Sequence, residues 1–149
     1  MPLLEATNMI WDVIKDGAKL NVEGKTVNVL PKGSTMDDFN GWEGPVSYEE
    51  KFEELSAIFQ SELADFTLRA NWEYNGQYIA NFNVMAEGTV DVLSNVDIRV
   101  TTLESRMNKN QVAELPYHID VTFKNITGGS RRRTYRALAR GDGGGQSIG

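Results

Sequence analysis

The sequence predicts an α+β fold, in which two N-terminal helices and a small β-hairpin pack on an antiparallel meander sheet of about four to five strands. Two patterns lead to this prediction. In the first part of the chain, apolar residues recur at the three- and four-residue spacings of a helix, whereas later they alternate with polar residues. The length of 149 residues fits one domain. We assign residues 1–140 to this domain and 141–149 to a glycine-rich C-terminal tail.

The N-terminal half carries the helix signals. The first predicted helix covers Leu3 to Asp16 and stops at Gly17, and the second begins at Ser47, which forms a capping box with Glu50. The second helix has an apolar stripe made of Phe52, Leu55, Phe59, Leu63 and Phe66, and its remaining surface is acidic. The predicted hairpin pairs Leu20 and Val22 with Val29 and Val27 around a turn at Gly24-Lys25. Residues 31–46, rich in Gly and Pro, read as a connector.

Alternating residues predict the strands of the meander. The apolar sets run through 66–74, 78–86, 90–100 and 115–123, and the arginine-rich segment 130–140 follows. A bulged three-residue turn at 75–77 is predicted because it pairs Tyr74 with Tyr78 and keeps both apolar sets on one face. A loop at 128–130 would align Phe123 with Tyr135. Glu87-Gly88 fits either a turn or a bulge in one long strand.

Charge is divided unevenly along the chain. The net charge is −6, but residues 1–65 carry 13 acids against 5 lysines, and all eight arginines lie in the remainder. Five of them fall within ten residues, namely Arg131, Arg132, Arg133, Arg136 and Arg140. Arginine forms bidentate contacts with carboxylates and phosphates, so this strand is expected to contact a negatively charged group. Arg132, Arg136 and Arg140 would share one face of the strand.

No recognisable catalytic or cofactor motif accompanies the arginines. His118 with Asp120 and the pair Asp37 and Asp38 are best explained as surface residues, and Gly141-Asp-Gly-Gly-Gly145 lacks the helix and lysine of a phosphate loop. We therefore predict no enzyme activity, no metal and no cofactor. The chain has no cysteine, no apolar run that could span a bilayer and no signal-peptide pattern. These features lead us to expect synthesis in the cytoplasm and no membrane partner.

The charge division predicts a non-enzymatic assembly protein that forms a homo-oligomer and contacts other structural proteins. The proposed contact joins the arginine strand to the acidic face formed by Glu49, Glu50, Glu53 and Glu54 of the second helix. Such a head-to-tail contact would generate a ring or a filament. The specific version of this hypothesis is a phage virion component, such as a head–tail connecting, neck or tail-completion ring protein.

Three alternatives remain open at this point. Nucleic acid is the second choice as partner, because the arginines could bind phosphates and Tyr117 or Tyr135 could stack on bases. A small-ligand or enzymatic cone-shaped domain would place a cavity among Trp72, Tyr74, Tyr78 and Phe82, with His118 or an aspartate acting in it. An acidic immunity or inhibitor protein would dock its second helix on a basic enzyme.

Overall fold

Two antiparallel β-sheets face each other and form a sandwich in this computed structural model, which describes residues 9–14, 19–21, 26–56, 61–126 and 128–148. The first sheet has the order β1 (Met9–Ile14), β7 (Ser94–Thr102), β9 (Ala113–Asn125), β10 (Ser130–Arg140) and β11 (Gly145–Ser147), with β8 (Arg106–Met107) beside β9. The second has the order β2 (Lys19–Asn21), β6 (Ile79–Val90), β5 (Glu62–Tyr74) and β4 (Glu43–Leu55), with β3 (Val27–Val29) beside β6.

One hydrophobic core fills the space between the sheets. Alternate residues of β5, β7 and β9 are buried, as the two-residue period of a strand requires when one face is covered. Aromatic rings from the two sheets meet there, with centroids 4.9 Å apart for Phe82 and Tyr117 and 6.3 Å apart for Phe52 and Phe123. Packing of this kind makes both sheets part of the same folding unit.

The predicted helices are wrong, and with them the α+β fold class. Residues 43–55 form β4, which pairs with β5 from Glu43 to Leu55, and residues 9–14 form β1, which pairs with β7. The rest of the first predicted helix lies outside the described residues, as does part of the second. In the described part of the chain, the helical structure is one 3-10 turn, Met36–Asp38. Pairing along the whole of β4 outweighs the helix propensity of its glutamates, because propensity is a weak preference compared with tertiary packing.

The predicted N-terminal hairpin is also wrong. Its two strands, β2 and β3, do not pair with each other but with different parts of β6: Leu20 lies opposite Gly88, and Val27 lies opposite Phe82. The turn predicted at Gly24-Lys25 lies outside the described residues. Because β6 is long, each short strand can form hydrogen bonds with a different part of it. Rules for pairing between neighbouring strands in the sequence do not anticipate this arrangement.

Strands do form where alternation predicted them in the second half, but two registers differ. Tyr74 pairs with Ile79 rather than Tyr78, and a bulge near Asn81 then restores the shared face, so that Leu68 lies opposite Ala86. Phe123 pairs with Arg131 rather than Tyr135. The alternation of buried and exposed residues is therefore as predicted, whereas the residues that lie opposite each other on neighbouring strands differ from the prediction. Strand β6 continues through Glu87-Gly88 without a turn.

A turn of residues 91–93 ends β6 and makes one predicted core residue an exposed one. Val92 is 82% exposed, although the alternation placed it with Val90 and Val96 on the buried face. The turn contacts the next loop, because the Ile126 N–H donates to the Leu93 carbonyl at 3.0 Å. This end of the sandwich, where β4, β6 and β9 finish and β10 begins, is called the tip.

The opposite end of the sandwich is joined by backbone hydrogen bonds between three segments. The Gly76 N–H donates to the Gly141 carbonyl at 2.8 Å, the Gly141 N–H donates to the Ala113 carbonyl at 2.9 Å, and the Ala113 N–H donates to the Gln77 carbonyl at 2.7 Å. We call these four residues the base junction. Trp72 of β5 adds a bond from its indole N–H to the Arg140 carbonyl at 3.0 Å. The junction links the second sheet to the first.

Candidate interaction surface

Part of β10 is an open sheet edge. The short strand β11 covers Ala137 to Ala139, and the Ile148 N–H donates to the Arg136 carbonyl at 2.9 Å. Residues 130–135 have no strand on this side within the described ranges. Because unpaired edge groups are ready to bond another strand, this segment is a natural place for association. It is also the segment that contains three of the five predicted interaction arginines.

Strand β4 forms the edge of the second sheet and carries the four predicted acidic residues. Since it is a strand, they do not share one face as the helix prediction required. Glu49 and Glu53 point outward with Lys51 between them, whereas Glu50 and Glu54 are less exposed and point toward the other sheet. Inward-pointing charges are a known feature of edge strands, because they discourage indiscriminate pairing.

The two edges lie on the same side of the sandwich. The Tyr135 hydroxyl donates to the Lys51 carbonyl at 3.0 Å, and the Arg131 guanidinium lies 3.0 Å from the Glu54 carboxylate. Arg131 also lies 6.0 Å from the centroid of the Phe52 ring. We call β4 together with residues 130–135 the open side. The acid–base contact that the sequence placed between two copies is thus found, for this one pair, within a single chain.

The remaining arginines have three different environments. Arg140 is held internally by Asp142 at 3.2 Å and Gln146 at 2.8 Å, so it belongs to the β10–β11 connection. Burial alone would raise the pKa of Asp142, but the Gly144 N–H and the Arg140 guanidinium hold it below its ordinary value. Arg133 lies over the Tyr135 ring, 4.7 Å from its centroid.

Arg132 and Arg136 are the arginines left for an external partner. Both side chains are exposed on the outer face of the first sheet, and neither has a carboxylate within 4.0 Å in the part of the chain that the structure describes. Across the β9–β10 ladder they face Thr122 and His118, which are not acidic. Two fixed positive charges on an open edge therefore remain unneutralised.

Negative charge accumulates on the outer face of β4 and β5. The carboxylates of Glu53, Glu62 and Asp65 all lie within 4.8 Å of one another, and among the described residues Lys51 forms an ion pair with Asp65 alone, at 3.3 Å. Repulsion from the Asp65 carboxylate is the main reason why the pKa of Glu62 is raised. Partial desolvation, a hydrogen bond to Asp65 and the charge of Glu53 raise this pKa further, whereas the positive charge of Lys51 lowers it. Glu49 already has an ion-pair partner: the Arg69 guanidinium lies 3.3 Å from the Glu49 carboxylate and 3.5 Å from the Glu87 carboxylate.

These carboxylates are the described residues closest to a cation site, but they are surface groups without a further ligand. The sequence did not identify Glu62 and Asp65 as partners of Glu53, because the grouping depends on the β4–β5 register. Of the other acidic pair, Asp38 caps its own 3-10 turn by accepting the Thr35 N–H at 2.7 Å. Asp120 accepts a hydrogen bond from Thr134 rather than orienting His118.

Among the described residues, three of the four aromatic side chains of the ligand hypothesis, Trp72, Tyr78 and Phe82, are buried in the core. Trp72 and Phe82 are buried, with ring centroids 6.3 Å apart, and Phe82 in turn packs on Tyr117. Burial raises the pKa of Tyr117, as expected for a phenol in the core. The outer face of the second sheet has a shallow, solvent-open depression of about 450 Å³ beside Gly88, and Arg69 in it is already flanked by two glutamates.

Comparison with known proteins adds no functional assignment. No protein-family profile, curated protein or solved structure matches the chain. Within the described residues, no helix has the length and apolar character needed to cross a bilayer.

Proposed function

We propose that this protein is a non-enzymatic assembly protein that associates with further copies of itself through the open side. The observation that carries the proposal is the position of two open edges of opposite charge on one side of the sandwich, where Tyr135 of β10 reaches Lys51 of β4. Unpaired edge strands bind by adding a strand, and charges beside them select the partner. Arg132 and Arg136 supply positive charge without an internal partner, and the group formed by Glu53, Glu62 and Asp65 supplies excess negative charge.

A protein partner is supported better than nucleic acid. Polyanion binding depends on the number of cations that can contact phosphates. Arg131 and Arg140 are engaged by acidic residues of their own chain, and the carboxylate group on β4 lies on the same side of the molecule. A nucleic acid strand along β10 would therefore find few available cations for its phosphates, and the carboxylates of β4 and β5 would repel it.

The observed strands give the other two alternatives less support. Trp72, Tyr78 and Phe82, which the ligand hypothesis placed around a cavity, are packed in the core of the described structure. The inhibitor hypothesis required an acidic helix, and the four glutamates lie on a strand with alternating directions. A virion, the setting expected from the sequence, is part of the proposal. The genes that flank the coding sequence test it, because a run of virion genes is the expected result.

The mass of the protein in solution tests self-association. Sedimentation should be measured at micromolar concentrations in low salt and at about 0.5 M NaCl, where the Debye length falls to roughly 4 Å. We expect a multiple of the monomer mass in low salt. A monomer under both conditions would overturn the proposal.

A further inference from the structure

The backbone directions at the two open edges fix how they can pair. On β10 the odd residues face β9, since the Asn125 N–H donates to the Gly129 carbonyl at 2.8 Å at the start of that ladder. The even residues therefore face the open edge, in agreement with the Arg136 carbonyl accepting from Ile148 on that side. Residues 130, 132 and 134 present N–H and carbonyl groups in the same direction, and none of the described strands pairs with them there.

The same argument applies to β4. The Asp91 N–H donates to the Leu63 carbonyl at 2.8 Å, so odd residues of β5 face β6 and even residues face β4. The even residues of β4 consequently bond β5, and its odd residues face the open edge. The Lys51 carbonyl confirms this direction, because the Tyr135 hydroxyl reaches it from the edge. Among the described strands none pairs with residues 49, 51 and 53 on this side, and the Lys51 carbonyl keeps one acceptor position beside the Tyr135 hydroxyl.

Within one chain, the edge strands β10 and β4 also run antiparallel, and contacts between them show which residues lie at the same position along the strand direction. Arg131 contacts Glu54, and Tyr135, four residues further along β10, contacts Lys51, so residue numbers rise along one strand as they fall along the other. Rotation about a twofold axis parallel to the strands would leave the position of each residue along the strand direction unchanged. It would place β10 of one copy antiparallel to β4 of a second copy, with Arg132 level with the partner's Glu53.

We propose that the partner is a second copy of this chain, related by such a twofold axis, with β10 of each copy hydrogen-bonded to β4 of the other. This inference rests on the proposed self-association and names its geometry. Arg132 lies opposite the partner's Glu53 and Thr134 opposite the partner's Lys51, whereas the Arg136 carbonyl stays bonded to Ile148 and only the Arg136 side chain approaches the partner's Glu49. These side chains share the outer face of the continuous sheet that results.

Charge selects this register among those that the backbone allows. Moving β10 by two residues in either direction keeps the hydrogen bonds but places Arg132 or Arg136 opposite the partner's Lys51, and like charges in direct opposition are destabilising. In the selected register Arg132 approaches the group of three carboxylates, where one more cation relieves the repulsion that raises the pKa of Glu62. The ladder ends after Thr134, because β11 covers Ala137 to Ala139 and Ile148 already bonds the Arg136 carbonyl.

The structure also explains why this contact closes at two copies instead of forming a ring. Both edges lie on one side of the sandwich, so one contact uses the β10 and the β4 of each chain. The interface is reciprocal, and among the strands that the structure describes no further pair of complementary edges on one side is left over. The head-to-tail arrangement expected from the sequence would have required the two surfaces on different sides.

Cysteine cross-linking tests the register directly, because the chain has no cysteine of its own. Lys51→Cys combined with Thr134→Cys should give a disulfide-linked dimer in high yield under mild oxidation. Within one chain these two side chains lie on the outer faces of opposite sheets, which are about 10 Å apart, so they cannot reach each other. The matched control is Lys51→Cys with Arg132→Cys, displaced by two residues or about 7 Å, which should cross-link poorly.

Charge reversal provides a second, independent measurement. Arg132→Glu with Arg136→Glu should weaken dimerisation at least about tenfold, and so should Glu49→Arg with Glu53→Arg. An equimolar mixture of the two double variants should recover the dimer, because each β10 then meets a β4 of opposite charge. The control Lys32→Glu with Lys109→Glu changes the net charge equally but lies in turns away from the open side, and it should dimerise like the unmodified protein.

The outcomes separate this inference from the proposed function. A dimer that cross-links through positions 51 and 134 and is recovered by mixing the variants supports both. An oligomer that does neither, or one with a mass above that of a dimer, overturns the twofold register and leaves self-association standing. A monomeric unmodified chain overturns both.

Discussion

At the scale of single residues, Glu62 shows how like charges on a strand surface affect stability. Its pKa is raised above the ordinary value of 4.5, mainly by the Asp65 carboxylate. The folded chain therefore holds this proton more tightly than the unfolded chain does, and stability falls as the pH rises through this range. The penalty is complete at neutral pH and absent below the ordinary value.

Glu62→Gln should consequently raise the melting temperature at pH 7 and leave it unchanged at about pH 3, where the carboxyl is protonated in both states. Thermal unfolding followed by circular dichroism at the two pH values measures the difference. Glu104→Gln, an exposed glutamate outside the three-carboxylate group, is the control and should have little effect at either pH. Equal effects of both substitutions at pH 7 would show that the repulsion around Glu62 is unimportant.

The arginines show how far sequence reasoning reaches at this scale. Their division between two faces follows from the strand period alone, and the structure has Arg131 and Arg133 on the face of the buried Tyr135. Their partners could not be predicted. Arg131 meets Glu54, 77 positions away, and this contact depends on which strands become the edges of two different sheets.

At the scale of elements, Gly88 permits the close contact between β5 and β6. Its φ is +155°, and a side-chain Cβ there would overlap the Asp65 carbonyl and the Phe66 backbone. Phe66, directly opposite, is fully buried, so the neighbouring strand has little freedom to move away. The shape of this part of the second sheet thus depends on the absence of one methyl group.

We expect Gly88→Ala to reduce the free energy of unfolding by about 3 kcal/mol, since it combines overpacking with an unfavourable backbone angle. Gly129→Ala is the matched control, because no atom lies within 4 Å of a Cβ built there and its φ is not in the left-handed region. Urea unfolding of both variants measures the two values. A loss at Gly88 no larger than that at Gly129 would contradict the close packing.

The elements also divide into predictable and unpredictable ones for a physical reason. Strands β5, β7 and β9 bury one face regularly, so their alternation is visible in the sequence. Strand β4 has the same alternation in Val46, Tyr48 and Phe52, but Glu50 and Glu54 occupy inward positions near the edge and hide it. The glutamate-rich sequence of β4 then resembles that of a capped helix. Edge strands are the elements for which local pattern is least informative.

At the scale of the whole molecule, strand order decides what the surface can do. The sequence indicated two oppositely charged segments, and the structure places them on one side of a sandwich. Strand order arises from pairings between distant segments, such as β7 with β9 or β2 with β6, for which a single sequence carries no local signal. The candidate site was therefore predictable in composition but not in geometry.

The base junction has a consequence for the order of folding. It joins Gly76 and Gln77 to Ala113 and Gly141, which are far apart in the sequence, so we expect it to close late in folding. Proteins dominated by such distant contacts refold in about milliseconds to seconds. Contacts that form after the transition state affect the unfolding rate rather than the refolding rate.

Gly141→Ala probes this directly, because a Cβ at this position would overlap the Gln77 carbonyl. In stopped-flow experiments we expect faster unfolding and a nearly unchanged refolding rate, whereas Gly129→Ala should alter neither. A refolding rate that falls in proportion to the lost stability would show that the junction forms early. On the expected result, the base junction sets the lifetime of the native state, and the sandwich begins to unfold at the end farthest from the tip.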